Sequence, residues 1–506
     1  MSIRSNTPHI RHLLAAALLL PLLTACSFMS EDYYDCDKEP PTTTSPERYI
    51  NLSIVVSSGN ENATRADEKP AGGEDGDGRE AGSERENKVT GITLMLYRDE
   101  DGINTADDNT KIDFIRYYKV DKTEPLGGNI KSSYTTGYQP LAGTDIKLNV
   151  EYHAIVVANM NLTGEVFVGS SVAEARDKVT KHIYNGDVMG IAAQNFVMSS
   201  EADFKFTLNN PISETIAGKP ALVYSLDGIR IERLAARIDF WMKGAKYIED
   251  LGGYEYSVTN SYDRFVLTAV TPFNLYDGDE YFIKRITDEN YDFTNNKASV
   301  VYLDDEKITT GTGHLNYVLD PYTGSKTANT VPIYMKQDYA LDNFLKSENS
   351  TYDAKKGLIS SFRSSNGEEG VFTYKESETE TGDNIIICYP KENTLWKSSP
   401  LYYYATGLCI EGNYYKNGTD TPTPLTYYGF IRHQGESTTS GVYPIVPSDQ
   451  LDSYKQANEK IFPMNFGVVR NNIYRISIDN ITEQRNITWK IEVKNWDVFE
   501  HDIIYM

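Results

Sequence analysis

Apolar and polar residues alternate along short runs of this chain, and this alternation excludes most folds that are built from helices. Ile50, Leu52, Ile54 and Val56 stand at every second position, so in a strand they would share one face. Comparable short runs, separated by turn residues, recur from Val89 to the C-terminal region. Among them we predict strands from Ile229 to Ile238 and, by alternation, from Ile487 to Val493. Many short strands with turns between them predict an all-β protein made of sandwiches or barrels.

One stretch has helical spacing instead. Its apolar positions recur three or four residues apart, at Val172, Ala175, Val179 and Ile183. Ser171 and Glu174 stand at the positions of a capping box, in which each side chain bonds the other residue's backbone N–H. We therefore expect one or a few short helices among the strands.

The N-terminus has the pattern of an export signal. Arg4 and Arg11 precede an apolar run from Leu13 to Leu23, and Thr24-Ala25-Cys26 follows. The run is too short to span a bilayer, which needs about 20 apolar residues. A cysteine directly after small residues resembles the lipobox of bacterial lipoproteins. The sequence thus predicts a signal peptide over 1–25 and lipidation of Cys26; an ordinary signal peptide with an incidental cysteine is the alternative.

A break in composition follows the first strand pattern, Tyr49 to Val56. Residues 66–88 contain five glycines and twelve charged residues, with no Val, Ile, Leu, Phe or Tyr. A segment of this kind buries too little apolar surface to offset its ordering entropy. We therefore predict a disordered acidic segment over 66–88, which separates the first strand from the rest of the protein.

The net charge argues against one class of function, and the number of cysteines argues against one class of fold. The formal charge of −23 argues against nucleic-acid binding, which needs a basic surface. Four cysteines are too few for a disulfide scaffold in an exported chain of this length. Cys388 and Cys409 lie in two strand-like runs, so they could form a disulfide across a hairpin; buried free thiols are the alternative.

The sequence contains no recognisable catalytic or metal-binding motif. No pair of histidines after the signal peptide has metal-ligand spacing, and there is no G-x-S-x-G elbow or phosphate loop. The acidic residues around Gly102 lack the first calcium ligand of an EF-hand and have Asp108 where glutamate is required, so an acidic hairpin turn is favoured. We predict no enzyme activity, no cofactor and no metal. Tyr402 to Tyr404 and Tyr414-Tyr415 could form a carbohydrate platform, but half-buried strand residues are the preferred interpretation.

Several local patterns together resemble the fimbrillins, the structural subunits of the lipoprotein-derived (type V) pili of Bacteroidales. These patterns are Tyr152 to Asn159, Asn195 to Ser199, Ile231 to Ile238, Tyr389 to Thr394 and Gly467 to Ile478. Each is short, but their order, the Cys26 lipobox and the closing Trp496 strand make the combination more specific.

The resemblance implies two tandem transthyretin-like β-sandwich domains with long loops, which we place at 89–228 and 229–506. It also implies a lipidated propeptide, 26–65, whose strand 49–56 is removed at the outer membrane by an Arg-specific or trypsin-like protease. Arg65-Ala66 supplies the basic residue for that cleavage. The opened groove would take a strand from a neighbouring subunit, because unpaired strand edges are templates for pairing.

The C-terminal residues 497–506 are the candidate donor strand; an ordinary strand of their own sheet is the alternative. The implied partners are other fimbrial subunits in a homopolymer, together with anchor and tip proteins, and lipid through Cys26 before processing. The predicted location is the outer membrane first and the surface fimbrium afterwards, in support of adhesion. A tip adhesin, an anchor subunit or a monomeric surface glycan-binding lipoprotein are the alternatives.

Overall fold

The computed structural model describes most of the strand-rich parts of the chain. The described stretches are 46–56, 75–98, 110–120, 132–141, 146–182, 196–200, 204–276, 371–377, 379–395, 404–432, 441–451, 466–483 and 486–497, with short pieces at 122–125, 282, 291–292, 297–298, 300–303, 306–309 and 341. Within them strands predominate, so the all-β prediction is confirmed.

The strands lie as follows in chain order. The first twelve are β1 (Glu47–Val56), β2 (Asp75–Ala81), β3 (Gly91–Tyr97), β4 (Ile112–Lys119), β5 (Lys122–Pro125), β6 (Ser132–Thr135), β7 (Gln139–Pro140), β8 (Glu151–Ala158), β9 (Met198–Ser200), β10 (Phe204–Thr207), β11 (Ile212–Ile216) and β12 (Lys219–Arg233). The next eight are β13 (Arg237–Trp241), β14 (Lys246–Ile248), β15 (Gly253–Ser257), β16 (Arg264–Phe273), β17 (Tyr291–Asp292), β18 (Lys297–Ala298), β19 (Val300–Leu303) and β20 (Glu306–Thr309). The last ten are β21 (Val371–Lys375), β22 (Thr381–Cys388), β23 (Asn393–Leu395), β24 (Gly407–Tyr415), β25 (Thr423–Phe430), β26 (Val442–Pro444), β27 (Val446–Pro447), β28 (Phe466–Val468), β29 (Asn472–Glu483) and β30 (Asn486–Asp497).

The first sheet contains eleven strands, in the order β4-β3-β8-β9-β12-β1-β6-β5, with β10, β11 and β7 paired at its sides. Arg116 of β4 donates a hydrogen bond of 2.5 Å to the carbonyl of Pro140 in β7, although β4 and β7 lie near opposite ends of this order. The sheet therefore folds over on itself, and its inward side chains enclose one apolar core.

A helix covers the other face of two strands in the first sheet. In β3 and β8 nearly every residue is buried, because alternate side chains enter the enclosed core and a second core beneath the helix α2 (Val172–His182). The predicted capping box is confirmed: the Ser171 N–H donates to Glu174 Oε2 at 2.7 Å, and the Glu174 N–H donates to Ser171 Oγ at 3.1 Å. Ile183, the last predicted apolar position, lies outside the described residues.

Two further sheets pack face to face as a sandwich. The second sheet has the order β2-β30-β29-β13-β22-β21, with β26 beside β30, and the third has the order β14-β15-β16-β24-β25-β27. Their inward side chains share one core, in which Trp489 of the second sheet lies against Gly429 of the third. A side chain at Gly429 would overlap the indole, so glycine is required for the sheets to approach this closely.

The same feature, a tyrosine corner in which a tyrosine hydroxyl accepts a backbone N–H just upstream, occurs once in each half of the protein. The Lys147 N–H donates to the Tyr152 hydroxyl at 3.1 Å, and the Val469 N–H donates to the Tyr474 hydroxyl at 2.7 Å. Both bonds span five residues, and both tyrosines follow an asparagine of positive φ three positions earlier, at Asn149 and Asn471. A tyrosine that bonds the backbone just upstream fixes the angle at which a strand begins, as in other β-sandwiches.

The predicted strand from Ile229 to Ile238 is wrong at both ends. Gly228 lies inside β12, at a bulge where the pairing with β1 slips by one residue, and its φ is +77°. The chain then leaves the first sheet after Arg233 and enters the second sheet at Arg237. The division at Gly228 itself stays a prediction, and we propose residues 234–236 as the junction.

Candidate functional site

The N-terminal strand β1 lies in the interior of the first sheet. It pairs in parallel with β12 along its length, from Glu47 opposite Ala221 to Val56 opposite Ile231. On its other edge it pairs antiparallel with β6 and β7. Strand β1 therefore has hydrogen-bonded neighbours on both sides, which a removable terminal strand at the edge of a sheet would lack.

The apolar face of β1 forms part of the enclosed core. Ile50, Leu52, Ile54 and Val56 are each 0% exposed, as their alternation predicts. Full burial of one such side chain stabilises a fold by roughly 1.5–3 kcal/mol. If β1 left, its place would become an apolar groove bordered by the unpaired edges of β12 and β6.

Backbone hydrogen bonds from the residues directly after β6 and β7 hold β1 in register. The Thr136 N–H donates to the Leu52 carbonyl at 3.1 Å, and the Leu141 N–H donates to the Arg48 carbonyl at 2.8 Å. At the start of β1 a hydrogen bond from Lys219, 2.9 Å long, lowers the pKa of Glu47. Both of these side chains are solvent-exposed, so the pair contributes little beside the buried face.

The segment after β1 is partly ordered, which corrects the prediction of disorder over 66–88. Residues 75–81 form β2, which pairs in parallel with β30 at the edge of the second sheet. Residues Glu84–Asn87 form the short helix α1, closed by Ser83 and Glu86 in a second capping box. Residues 66–74 lie outside the described residues.

Buried ion pairs explain how so charged a segment is ordered. Arg237 binds Asp239 through two bonds of 2.7 Å and lies 3.4 Å from both Glu80 and Glu86. Arg475 bonds Glu80 Oε1 at 2.6 Å and contacts Asp239 at 3.3 Å. Burial alone would lower the pKa of Arg237, but Asp239 and Glu86 outweigh it and raise the pKa, so the guanidinium stays charged.

A third arginine connects this segment to the end of β30. Arg233, fully buried, donates to the Glu86 carbonyl at 3.1 Å, to the Trp496 carbonyl at 2.9 Å and to the Asn87 side chain. Its guanidinium lies 4.5 Å from the centre of the Trp496 ring, which also stacks on Tyr389 at 5.8 Å. Arg237 and Arg475 thus pair with the carboxylates of Glu80, Glu86 and Asp239, and Arg233 bonds backbone and amide oxygens beside them, where the first and second sheets meet.

The motifs that resemble fimbrillins supply most of this junction. Arg233 and Arg237 belong to the motif Ile231 to Ile238, and Arg475 belongs to Gly467 to Ile478. A further buried pair joins two other motif residues: Arg470 donates to Glu392 at 2.8 Å, and each side chain is 1% exposed. These motifs therefore carry structural contacts between the sheets.

The predicted site residues fall into two groups. Cys26, Arg65 and Ala66 lie outside the described residues, as does the donor candidate 497–506 apart from Asp497. Cys388 and Cys409 are described, and both are buried free thiols. Their strands, β22 and β24, belong to opposite sheets of the sandwich, so the predicted hairpin between them is wrong. Burial raises the pKa of the Cys388 thiol, which keeps it protonated.

Sequence reasoning missed the junction, although one signal was present. Ser83 and Glu86 have the same spacing as Ser171 and Glu174, which was recognised as a capping box. The arginine partners gave no such signal, because Arg237 and Arg475 stand in strand patterns where charged residues normally face solvent.

The described part of the chain shows no other candidate chemistry. It contains no group of three or more His, Cys, Asp or Glu side chains that could hold a metal ion. Its helices are too short or too polar to cross a membrane. Tyr414 and Tyr415 are buried and offer no open stacking surface; Tyr402 and Tyr403 lie outside the described residues.

No protein-family model matches the chain, and no curated protein matches it. Solved structures with a similar chain course include a candidate cell adhesion protein from Parabacteroides distasonis ATCC 8503, with a TM-score of 0.40 and 12% identity over 90% of this chain and 98% of that one. The tip fimbrial protein Mfa3 from Porphyromonas gingivalis has a TM-score of 0.37 and 9% identity over 89% and 100%. A fimbrilin from Porphyromonas gingivalis W83 has a TM-score of 0.33 and 13% identity over 89% and 99%. The structural neighbours are thus fimbrial and cell adhesion proteins, at a similarity too low to assign a function.

Proposed function

We propose that this chain is a structural subunit of a surface fimbria, made as a precursor lipidated at Cys26 and polymerised by strand exchange in support of adhesion. The position of β1 carries the proposal. An N-terminal strand with a fully buried apolar face lies between two other strands, and residues 57–74, which include Arg65, separate it from β2. The role is structural and needs no catalytic group, metal or cofactor.

Cleavage after Arg65 changes how β1 is held. While the chain is intact, β1 is bound intramolecularly; hydrolysis of the Arg65–Ala66 bond converts it into a separate peptide in the groove. A strand from a neighbouring subunit can then bury comparable side chains and pair with the edges of β12 and β6. We propose residues 497–506 as that strand, an Arg-specific or trypsin-like protease as the processing enzyme, and other fimbrial subunits as the partners.

A disulfide that locks β1 in place tests strand exchange. Ser53 and Thr135 are directly opposite each other in the antiparallel pairing of β1 with β6. Such pairs have Cα atoms about 4.5–5.5 Å apart, within the range that a disulfide spans. We expect the oxidised Ser53→Cys/Thr135→Cys protein to be cut at Arg65 but to keep β1 and form no SDS-resistant ladder. Reduction should release β1 and restore the ladder.

The single variants Ser53→Cys and Thr135→Cys serve as controls, because each carries the substitution without the bond. Both should assemble under oxidising conditions as the unmodified protein does. Ladders of normal length from the oxidised double variant would refute strand exchange at β1. A protein that is cut at Arg65, loses β1 and stays monomeric would also refute polymerisation by strand exchange, whereas a monomer that is never cut and keeps its lipid would be the surface glycan-binding lipoprotein.

A further inference from the structure

The segment Asp75–Asn87, from β2 to the end of α1, lies between the proposed cleavage site and the first sheet's strand β3. Although it directly precedes β3, its strand β2 joins the second sheet, where Glu80 pairs with Trp496. Its helix contacts the first sheet, because the Tyr134 hydroxyl of β6 donates to the Asn87 carbonyl at 2.8 Å. The segment thus contacts both sheets through one short length of chain.

We propose that residues 75–87 are a staple that is retained after processing, joins the first sheet to the sandwich, and sets the downstream limit of N-terminal cleavage. The part concerning cleavage rests on the proposed function, whereas the joining role does not. Arginine is the residue that the proposed protease requires, and two further arginines, Arg79 and Arg85, follow Arg65 within this stretch. Cleavage at either one would damage the staple.

The backbone of the staple protects both arginines. Arg79 lies in β2, with Asn495 of β30 as its ladder partner. Arg85 lies in α1, where the Ser83 N–H donates to Glu86 at 2.6 Å and the Asn87 N–H donates to the Ser83 carbonyl at 3.2 Å. Proteases cut chain that is locally unfolded, so both bonds become accessible only when the staple opens.

The buried charges resist that opening. Without the staple, Arg237 would lose Glu80 and Glu86, and Arg475 would lose Glu80, so the two guanidinium groups would share the carboxylate of Asp239. Taking two of the three carboxylates away from two guanidinium groups inside the fold is unfavourable. The Tyr389 hydroxyl, which donates to Glu86 at 2.8 Å, would lose its acceptor as well.

Close packing over the Trp496 ring holds the middle of the staple. A Cβ at Gly82 would lie 2.5 Å from Trp496 Nε1 and 3.0 Å from the Asn87 side chain. Only glycine allows the chain to pass at this distance, so Gly82→Ala should displace the staple without changing any charge.

Digestion of the full-length protein with an arginine-specific protease, followed by mass spectrometry, tests the staple. We expect cleavage after Arg65 and resistance at Arg79 and Arg85 in the unmodified protein. Glu80→Gln/Glu86→Gln and Gly82→Ala should each raise the cleavage rate at Arg79 and Arg85 about tenfold or more, because they raise the open population. Glu255→Gln, which removes an exposed ion pair with Arg264, and Gly164→Ala, in open space, should leave the pattern unchanged.

Hydrogen exchange on the unmodified protein provides a test that needs no variant. The amides of residues 79–81 and of Asn87 should exchange far more slowly than those of an unstructured peptide. Free exchange there, cleavage of the unmodified protein at Arg79 or Arg85 as fast as at Arg65, or no response to the staple variants would each overturn the proposal. Resistance at Arg79 and Arg85 without cleavage at Arg65 would refute the proposed processing and leave the joining role standing.

Discussion

Glu392 and Arg470 form an ion pair in which both side chains are almost wholly buried. Arg470 also donates to the Phe282 carbonyl at 3.2 Å, and its own N–H donates to Glu392 at 3.2 Å. Two charges out of water are tolerated here because each has a charged partner and additional hydrogen bonds. The pair should therefore be far more sensitive to the loss of one member than any pair at the surface.

We expect Glu392→Gln to lower the free energy of unfolding by about 3 kcal/mol, because the buried Arg470 would lose its nearest carboxylate and keep only that of Glu232, 3.6 Å away. Urea unfolding at neutral pH measures the effect. Glu255→Gln is the matched control, since the Arg264–Glu255 pair has the same chemistry at 39% and 32% side-chain exposure. The control should change stability by about 1 kcal/mol or less. Equal effects in the two variants would contradict the buried-pair argument.

At the scale of single residues, sequence reasoning succeeded where one side chain determines one outcome. The burial of Ile50, Leu52 and Ile54 followed from their alternation. Sequence reasoning failed for Glu80 and Glu86. These residues are ordered by contacts with Arg237, which is distant in sequence and which no local pattern connects to them. The composition of a segment indicates only how much apolar surface the segment can bury by itself. Residues 75–87 are ordered instead by charged side chains that other strands supply.

The two tyrosine corners are equivalent elements in the two halves of the chain. In each, the hydroxyl accepts a backbone N–H five residues upstream, just before a central strand, β8 or β29. This repetition supports a tandem arrangement, with the junction that we propose at 234–236. It also gives a common physical role to two motifs, Tyr152 to Asn159 and Gly467 to Ile478, which otherwise share little sequence.

Tyr152→Phe and Tyr474→Phe should each lower the free energy of unfolding by about 1 kcal/mol, because each leaves a backbone N–H without its acceptor. The ring and its packing are retained, so the loss reports on the hydrogen bond. Tyr262→Phe is the control, since Tyr262 is 88% exposed and should be neutral. If Tyr262→Phe destabilises as much as the corner variants, the effect belongs to tyrosine loss in general.

At the scale of elements, the sequence identified strands better than it assigned them to sheets. The alternating residues from Ile487 to Val493 were predicted as a strand and lie in β30. Nothing in the run from Ile229 to Ile238 indicated that it is divided between two sheets, because both parts alternate apolar and charged residues as strands do. Which strands pair is decided by contacts across the whole fold, and those leave little trace in a local pattern.

At the scale of the whole molecule, the proposal requires each subunit to offer both a groove and a strand. Deleting residues 497–506 should leave a folded protein that is cut at Arg65, because the last buried side chain of the described core is that of Trp496. This protein should form no SDS-resistant ladder, since it would have a groove without a donor. Electrophoresis of unboiled samples and electron microscopy measure the effect.

A mixing experiment completes that test. The truncated protein still has its own groove, so it should accept the strand of a full-length subunit and terminate growing filaments, which would become shorter as its proportion rises. Filaments of normal length from the truncated protein alone would show that the donor strand lies elsewhere in the chain.

The place of β1 also fixes when the first sheet can be completed. Glu47 and its partner Lys219 are 172 residues apart in sequence, so β1 is made long before β12 can receive it. Pairings of such high sequence separation are slow to form. While the chain is intact, residues 57–74 keep β1 covalently attached until β12 is made. A chain that begins at Ala66 would have to fold around a missing central strand, so it should refold slowly and with its edges open to aggregation. Under the proposed function, residues 26–65 would therefore also aid folding, and folding would have to precede cleavage.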